Sequence, residues 1–458
     1  MSANNGILTY NNSFFNVSSV YYSPTATIPL TGQNLGTMYC FLSRVLPWTN
    51  DTLPPVPTQD TKYIKQTFKN MFVAKKITTN DISPVIERVD WTTATVYDYY
   101  RDDIDMYPLD TNGTITKRFY IKNRFDQVFK CLWNNSGATS TVEPYFEPGT
   151  FNANQVFQGA DKYKWKYMYT ITSGNKLKFM DDAWMPVPVG SHIPNPVSST
   201  AGIGDIEAIN VITPGLNYDA ANAIISVVIT GDGTGASANV VLSGSTISDI
   251  TIANTGSNYT YANVSIVSTQ GSGATATAYV SPIGGHGYDP VTELGARHVM
   301  LTCTFAKDES GNLPTDIDFR QLGVIVNPFA YFGTSVGLAN ATVYSTTTNF
   351  DVSQGFGSYT PDEVVYQSST GLLVDSTFSA TVLSFDSTTN TLKLINTQGT
   401  ANNSGIILGN SSGTTRVVLQ QHTPTFIPYS GYMIYLENRE PIQRNSDGSE
   451  QFKLVLGY

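Results

Sequence analysis

The chain has 458 residues, a formal net charge of −10 with only 26 Lys+Arg, 12% aromatic and 14% charged residues. The length exceeds one ordinary domain and leads us to expect about three. Many aromatics with few charges exclude a disordered chain. The acidic balance leaves no basic stripe to neutralise a row of phosphates, so no nucleic-acid partner is expected.

The opening, residues 1–15, has neither a positive n-region nor a long apolar core and is not expected to be a signal peptide. No run approaches about 18 uninterrupted apolar residues, so no membrane partner is expected. Cys40, Cys131 and Cys303 are odd in number and far apart. They read as reduced, buried thiols of a chain that folds in cytosol.

Pro47, Pro54, Pro55 and Pro57 frame a rigid loop, because each ring fixes φ and removes a donor. Asp60 reads as an N-cap, and Tyr63, Ile64, Thr67, Phe68, Met71 and Phe72 as the apolar stripe of one amphipathic helix. Val85–Trp91 reads as a strand. So does Asp161–Tyr169, where Tyr163, Trp165, Tyr167 and Tyr169 alternate with Lys164, Lys166 and Met168; the lysines are expected on a wet face.

Composition breaks near residue 203. To about 283 the chain is rich in Gly, Ala, Val, Ile, Ser and Thr, and it repeats. Gly215-Leu216-Asn217-Tyr218 returns as Gly256-Ser257-Asn258-Tyr259, and Gly233-Thr234-Gly235-Ala236 as Gly271-Ser272-Gly273-Ala274. Two copies of about 40 residues point to a compact pseudo-symmetric β-module. Further strands are expected at His298–Phe305, Phe319–Val326 (closed by Asn327-Pro328), Glu363–Tyr366, Phe378–Phe385, Thr391–Ile395, Met433–Leu436 and Phe452–Leu456.

The fold expected is mainly β: a discontinuous two-layer β-sandwich-like scaffold with one or two short helices and two inserted small all-β modules. Residues 1–202, 284–333 and 425–458 form the scaffold, and residues 203–283 and 334–424 form the modules. Loops tolerate such insertions best.

Chemistry is sparse. His192, His286, His298 and His422 share no metal-ligand spacing. The Gly-rich runs lack the Gly-Lys-Ser/Thr of a phosphate loop and read as turns. Asp308, Ser310, Asn312, Asp316 and Asp318 alternate oxygens as a calcium loop does, but Leu313 and Phe319 stand where such a loop needs Gly and Glu. The acids Asp102, Asp103, Asp105, Asp181 and Asp182 supply carboxylates of the kind glycoside hydrolysis uses. No catalytic, cofactor-binding or metal-binding residue is assigned, and no small-molecule substrate is expected.

Ser430-Gly431-Tyr432-Met433-Ile434-Tyr435-Leu436-Glu437-Asn438-Arg439-Glu440-Pro441-Ile442 closely resembles the C-terminal signature of the T4-like phage baseplate wedge family called gene product eight. Arg44-x-x-Pro47-Trp48, Pro54-Pro55, Val85-Ile86-x-Arg88-x-Asp90-Trp91, Lys130-Cys131-Leu132, Tyr163-x-Trp165-x-Tyr167, Phe319-Arg320-Gln321 and Asn327-Pro328 resemble further family motifs, in the same order. The resemblance does not cover 203–283 or most of 334–424; the first of these is loosely similar to modules in structural proteins of T4-like phages of cyanobacteria. It implies a non-enzymatic homodimer in the tail baseplate of the virion, assembled in the bacterial host cytoplasm, with the other wedge subunits as neighbours. It also implies a mechanical part in transmitting the contraction signal. The alternative is a glycan-binding or glycan-cleaving tail adhesion protein.

The residues singled out are Arg44, Pro47, Trp48, Asp90, Trp91, Glu437, Asn438 and Arg439, expected first as loop-fixing and core residues and second as interface contacts. Tyr432–Leu436 is expected as a buried strand, with Glu437-Asn438-Arg439 as its polar exit and Arg439 in a charge-assisted pair.

Overall fold

The computed structural model describes residues 6–8, 29–30, 33–34, 37–43, 46–111, 115–147, 156–189, 202–219, 221, 224–445 and 447–457. The chain is mainly β. Packing divides it into two units, residues 1–82 with 301–454 and residue 458, and residues 83–300 with 455–457.

The first unit is built on a six-stranded sheet in the order Gly6–Leu8, Tyr432–Gln443, Asp318–Val326, Met38–Ser43, Met71–Ile77, Val343–Ser345. Its middle strand, Asp318–Val326, is buried along nearly its whole length, as expected of a strand covered on both faces. Gly323 sits at its centre: a Cβ there would lie 2.5 Å from both the Phe41 ring and the Tyr435 carbonyl oxygen. The aromatic ring occupies the space a side chain would need.

Asp60 caps the helix Thr61–Asn70, its carboxylate accepting the Tyr63 N–H at 2.8 Å. The apolar stripe expected to run to Phe72 stops earlier. Met71 turns extended and opens the strand Met71–Ile77, where Met71 and Phe72 are 1% and 0% exposed. An uninterrupted Met-Phe-Val run suits a strand covered on both faces, and that burial overrides the helical spacing. Two further short helices, Ser173–Phe179 and Pro290–Glu293, bring the described total to three, where one or two were expected.

Six strands close into a barrel in the order Thr348–Val352, Thr391–Gly399, Ser376–Asp386, Val364–Ser368, Ile406–Gly409, Thr415–His422. Phe350, Val365, Val382, Leu392, Leu394, Ile407 and Val418 fill it. Closure leaves no open edge for further pairing. Val343–Ser345, just before it, belongs to the six-stranded sheet.

The second unit holds the sheet Tyr120–Lys122, Gln127–Trp133, Lys164–Thr170, Val156–Gln158. Tyr97, Phe129, Cys131, Tyr163, Trp165 and Tyr167 form one of its cores. Tyr163 and Trp165 stack with centroids 5.5 Å apart, and Tyr97 meets Trp165 edge-on.

The repeat forms six strands, three per copy: Ile209–Leu216, Ile225–Gly231 and Ser237–Ser243, then Thr246–Asn254, Ala262–Ser268 and Ser272–Ala278. The copies interlock. The first strand of each pairs with the third of the other, the two middle strands pair together, and Ile209 faces Ile250. Tyr218 lies over Gly271 of the second copy and its hydroxyl accepts the Ala274 N–H at 3.3 Å. Tyr259 lies over Gly233 of the first and accepts the Ala236 N–H at 3.4 Å. The repeated Tyr and Gly-x-Gly-Ala motifs are thus two halves of one contact, made twice.

Candidate functional site

The closing strand Tyr432–Gln443 is 12 residues long, and Glu437 and Asn438 lie inside it, 2% and 1% exposed. They are not the polar exit expected. Neighbours supply the bonds that let polar groups sit in a sheet interior. Asn438 faces Gln321 across the ladder. Its Nδ2 donates to the Pro55 carbonyl at 2.7 Å and the Tyr63 hydroxyl at 2.6 Å. Gln321 Nε2 donates to Asn438 Oδ1 at 2.8 Å and to the Tyr63 hydroxyl at 3.1 Å.

Glu437 Oε2 accepts the Tyr435 hydroxyl at 3.0 Å and Arg439 Nη2 at 3.2 Å, so Arg439 makes its charged pair inside the fold. The Arg439 carbonyl accepts Trp48 Nε1 at 3.0 Å, and Trp48 N donates to Asp51 Oδ1 at 2.8 Å. Arg320 clamps Asp51 and Asp318 at 3.1 and 2.7 Å. Its hydrogen bond holds the Asp51 carboxyl below the usual range.

Trp48, Pro55, Arg320, Gln321, Glu437, Asn438 and Arg439 come from four motifs spread over about 400 residues of sequence and form one hydrogen-bonded knot. Replacing Asn438 by Leu removes the donor to the Pro55 carbonyl and one of the two acceptors of the Gln321 amide, which keeps the Tyr63 hydroxyl. Urea denaturation is expected to show a loss of about 1–3 kcal/mol.

Pro47 and Trp48 also line a cleft of about 360 Å³ with Tyr63, Gln66, Asn70, Gln321, Asp362 and Asn396. Arg44 lies outside the described residues.

Asp90 and Trp91 belong to the second unit and a separate cluster. Asp90 pairs with Arg88 at 2.8 Å and Lys122 at 3.0 Å. Burial opposes its charge, yet the Arg88 and Lys122 partners hold its carboxyl below the ordinary value. Trp91 Nε1 donates to Ser140 Oγ at 3.0 Å, and its ring packs on the core that holds Cys131, Tyr163, Trp165 and Tyr167. The motif residues therefore sort into two groups, one in each unit.

No family model matches this chain, and no curated protein matches it. The family resemblance rests on the chain's own motifs.

Two buried features escape the sequence reading. Lys164 and Lys166 do not face water: they are 4% and 1% exposed. Lys164 Nζ meets Asp249 at 2.8 Å and the Ile209 carbonyl at 2.8 Å, and Lys166 meets Glu207 at 2.9 Å. The Gly-rich module covers that face and supplies the counter-charges.

Beside them Lys130, His286 and Glu293 form a buried cluster. Lys130 Nζ lies 2.8 Å from Glu293 Oε1, 3.3 Å from His286 Nδ1 and 3.8 Å from the Tyr100 ring centroid. Glu293 Oε2 also accepts the Gly287 N–H at 2.6 Å. Burial disfavours the Glu293 charge, but the Lys130 ammonium overrides it and holds the carboxyl down at about 2. Burial, then the Lys130 charge, push the His286 imidazole below its ordinary value. The signal for this cluster is one lysine inside the apolar run Val128-Phe129-Lys130-Cys131-Leu132-Trp133.

The remaining acids are held in turns and pairs. Asp102 accepts the Val280 N–H, Asp103 pairs with Arg101, Asp105 accepts the Tyr107 N–H, and Asp181 accepts the Ala183 and Trp184 N–H groups. Asp308 accepts the Ser310 N–H. Among the described residues no three His, Cys, Asp or Glu side chains converge as metal ligands would.

Proposed function

We propose that this chain is a non-enzymatic structural subunit of the baseplate wedge of a contractile-tailed, T4-like phage. On this reading it works as a homodimer among other wedge subunits and helps to transmit the contraction signal. The observation that carries the proposal is the thirteen-residue signature Ser430–Ile442, in collinear order with the shorter motifs. The knot joining Trp48, Arg320, Gln321, Asn438 and Arg439 supports it, because residues committed to one another across the sheet suit a rigid element that bears load. The low charge and abundant Tyr, Asn and Thr suit large, partly polar permanent interfaces.

Two measurements test it. Light scattering of the purified chain is expected to give a dimer mass, and antibodies raised against the chain are expected to label the baseplate end of purified contractile tails. A strict monomer that labels no tail structure removes the proposal.

A further inference from the structure

The cleft beside the knot has a chemistry of its own. Its volume of about 360 Å³ falls within the range of small-ligand sites, roughly 300–1,000 Å³. One wall is apolar, formed by Leu46, Pro47, Trp48 and Ile395. The helix Thr61–Asn70 also lines it, presenting Tyr63, Gln66 and Asn70 at spacings of three and four, hence on one face. Gln66 Nε2 reaches Asn70 and Asn396 only at 3.5 and 3.3 Å. Hydrogen bonds that long are weak and are readily exchanged for a ligand's.

Two observations mark the cleft as more than a packing gap. Gln321, 1% exposed, lines it, and its Oε1 accepts no hydrogen bond from the described residues. A buried acceptor without a donor is destabilising when nothing satisfies it. In addition, Asp362 and Asn396 line the cleft with left-handed backbones, φ 70° and 51°. Asn396 sits where the ladder between Thr391–Gly399 and Ser376–Asp386 slips register. Such strain persists where surrounding structure holds it, and a bulge re-aims a side chain.

We propose that this cleft binds a neutral saccharide. Carboxamides and hydroxyls answer sugar hydroxyls in both directions, and the Pro47–Trp48 wall receives the C–H face of a pyranose. Among the described residues no cation lines the cleft, so phosphate, sulfate and carboxylate ligands find no counter-charge from them. The inference stands apart from the wedge reading and does not depend on it.

The test uses the full chain with maltotriose, cellotriose and chitotriose as neutral probes and sialyllactose as the anionic contrast, read by saturation-transfer NMR and tryptophan fluorescence. At least one neutral trisaccharide is expected to bind and sialyllactose is not. The double variant Gln66→Ala/Asn396→Gly removes two amides from an exposed helix position and from a backbone site that glycine accepts. It is expected to keep its thermal midpoint and to bind at least about tenfold more weakly. Silence from all three neutral probes overturns the proposal, and so does unchanged affinity in the variant. Hydrogen-exchange protection of the cleft by a polypeptide, without a saccharide signal, assigns it to a protein contact and equally overturns it.

Discussion

Replacing Glu293 by Gln is expected to lower the unfolding free energy by about 3–5 kcal/mol in urea denaturation, among the largest single-residue effects in the molecule. Lys130 is fully buried, and Glu293 Oε1 at 2.8 Å is its counter-ion. Without that carboxylate the ammonium keeps its desolvation cost and loses the attraction that offsets it. The double variant Lys130→Met/Glu293→Gln is expected to lose much less than the sum of its single variants, since both singles break the same pair.

The pH profile separates this mechanism from simple loss of packing. Glu293 has a folded value of about 2 against an ordinary 4.5, so its contribution is complete above 4.5 and disappears as the pH falls toward 2. His286 is depressed too, so the unfolded chain takes up its proton first and stability begins to fall below about 6.5. In Glu293→Gln the lower acid window is expected to flatten. The deficit is also expected to narrow as the pH rises toward 10, because Lys130, already pushed below its ordinary value by burial, escapes its cost by releasing its proton. A deficit independent of pH refutes the ion-pair account.

The repeated glycines carry the second large effect. Gly215 and Gly256 occupy equivalent places, with φ of 64° and 68°. A Cβ at Gly215 would lie 2.5 Å from the Ala274 nitrogen, and one at Gly256 would lie 2.6 Å from the Ala236 nitrogen. Both obstacles are backbone and cannot rotate aside. Left-handed strain and overpacking act together, so Gly215→Ala and Gly256→Ala are each expected to cost roughly 3–5 kcal/mol. Gly235 and Gly273 are equally left-handed, at 83° and 81°, but the nearest atoms to a Cβ there stand 3.8 and 3.9 Å away. Alanine at those two sites is expected to cost about 1 kcal/mol, the backbone strain alone. Thermal denaturation of the four variants decides it: two large effects and two small, matched across the repeat.

Local pattern made much of the fold legible. Alternation and turn residues located the strands near His298, Asp318, Val364, Ser376 and Thr391, and Asp60 marked a helix start that the structure keeps. The fate of Met71 and Phe72 was not legible, because helical and extended spacings both accommodate a Met-Phe-Val run and only burial in the six-stranded sheet decides between them. The candidate site was legible only as separate motifs. Nothing local in Arg320-Gln321 or Glu437-Asn438-Arg439 says that these residues meet Trp48 and Tyr63, since their bonds join positions about 260–390 residues apart.

The sequence by itself determined that the chain is mainly β, that a Gly-rich pair of repeats occupies 203–283, and that the last strands include the Ser430–Ile442 signature. These follow from side-chain period, turn chemistry and composition, all read over a few residues. Only the tertiary structure decided that Glu437 and Asn438 are buried inside a strand, that Lys164 and Lys166 face acids and not water, and that Lys130 pairs with Glu293. The reason is common to all three. A polar residue reads as exposed when its partner is remote in sequence, and folding is what brings the partner to it.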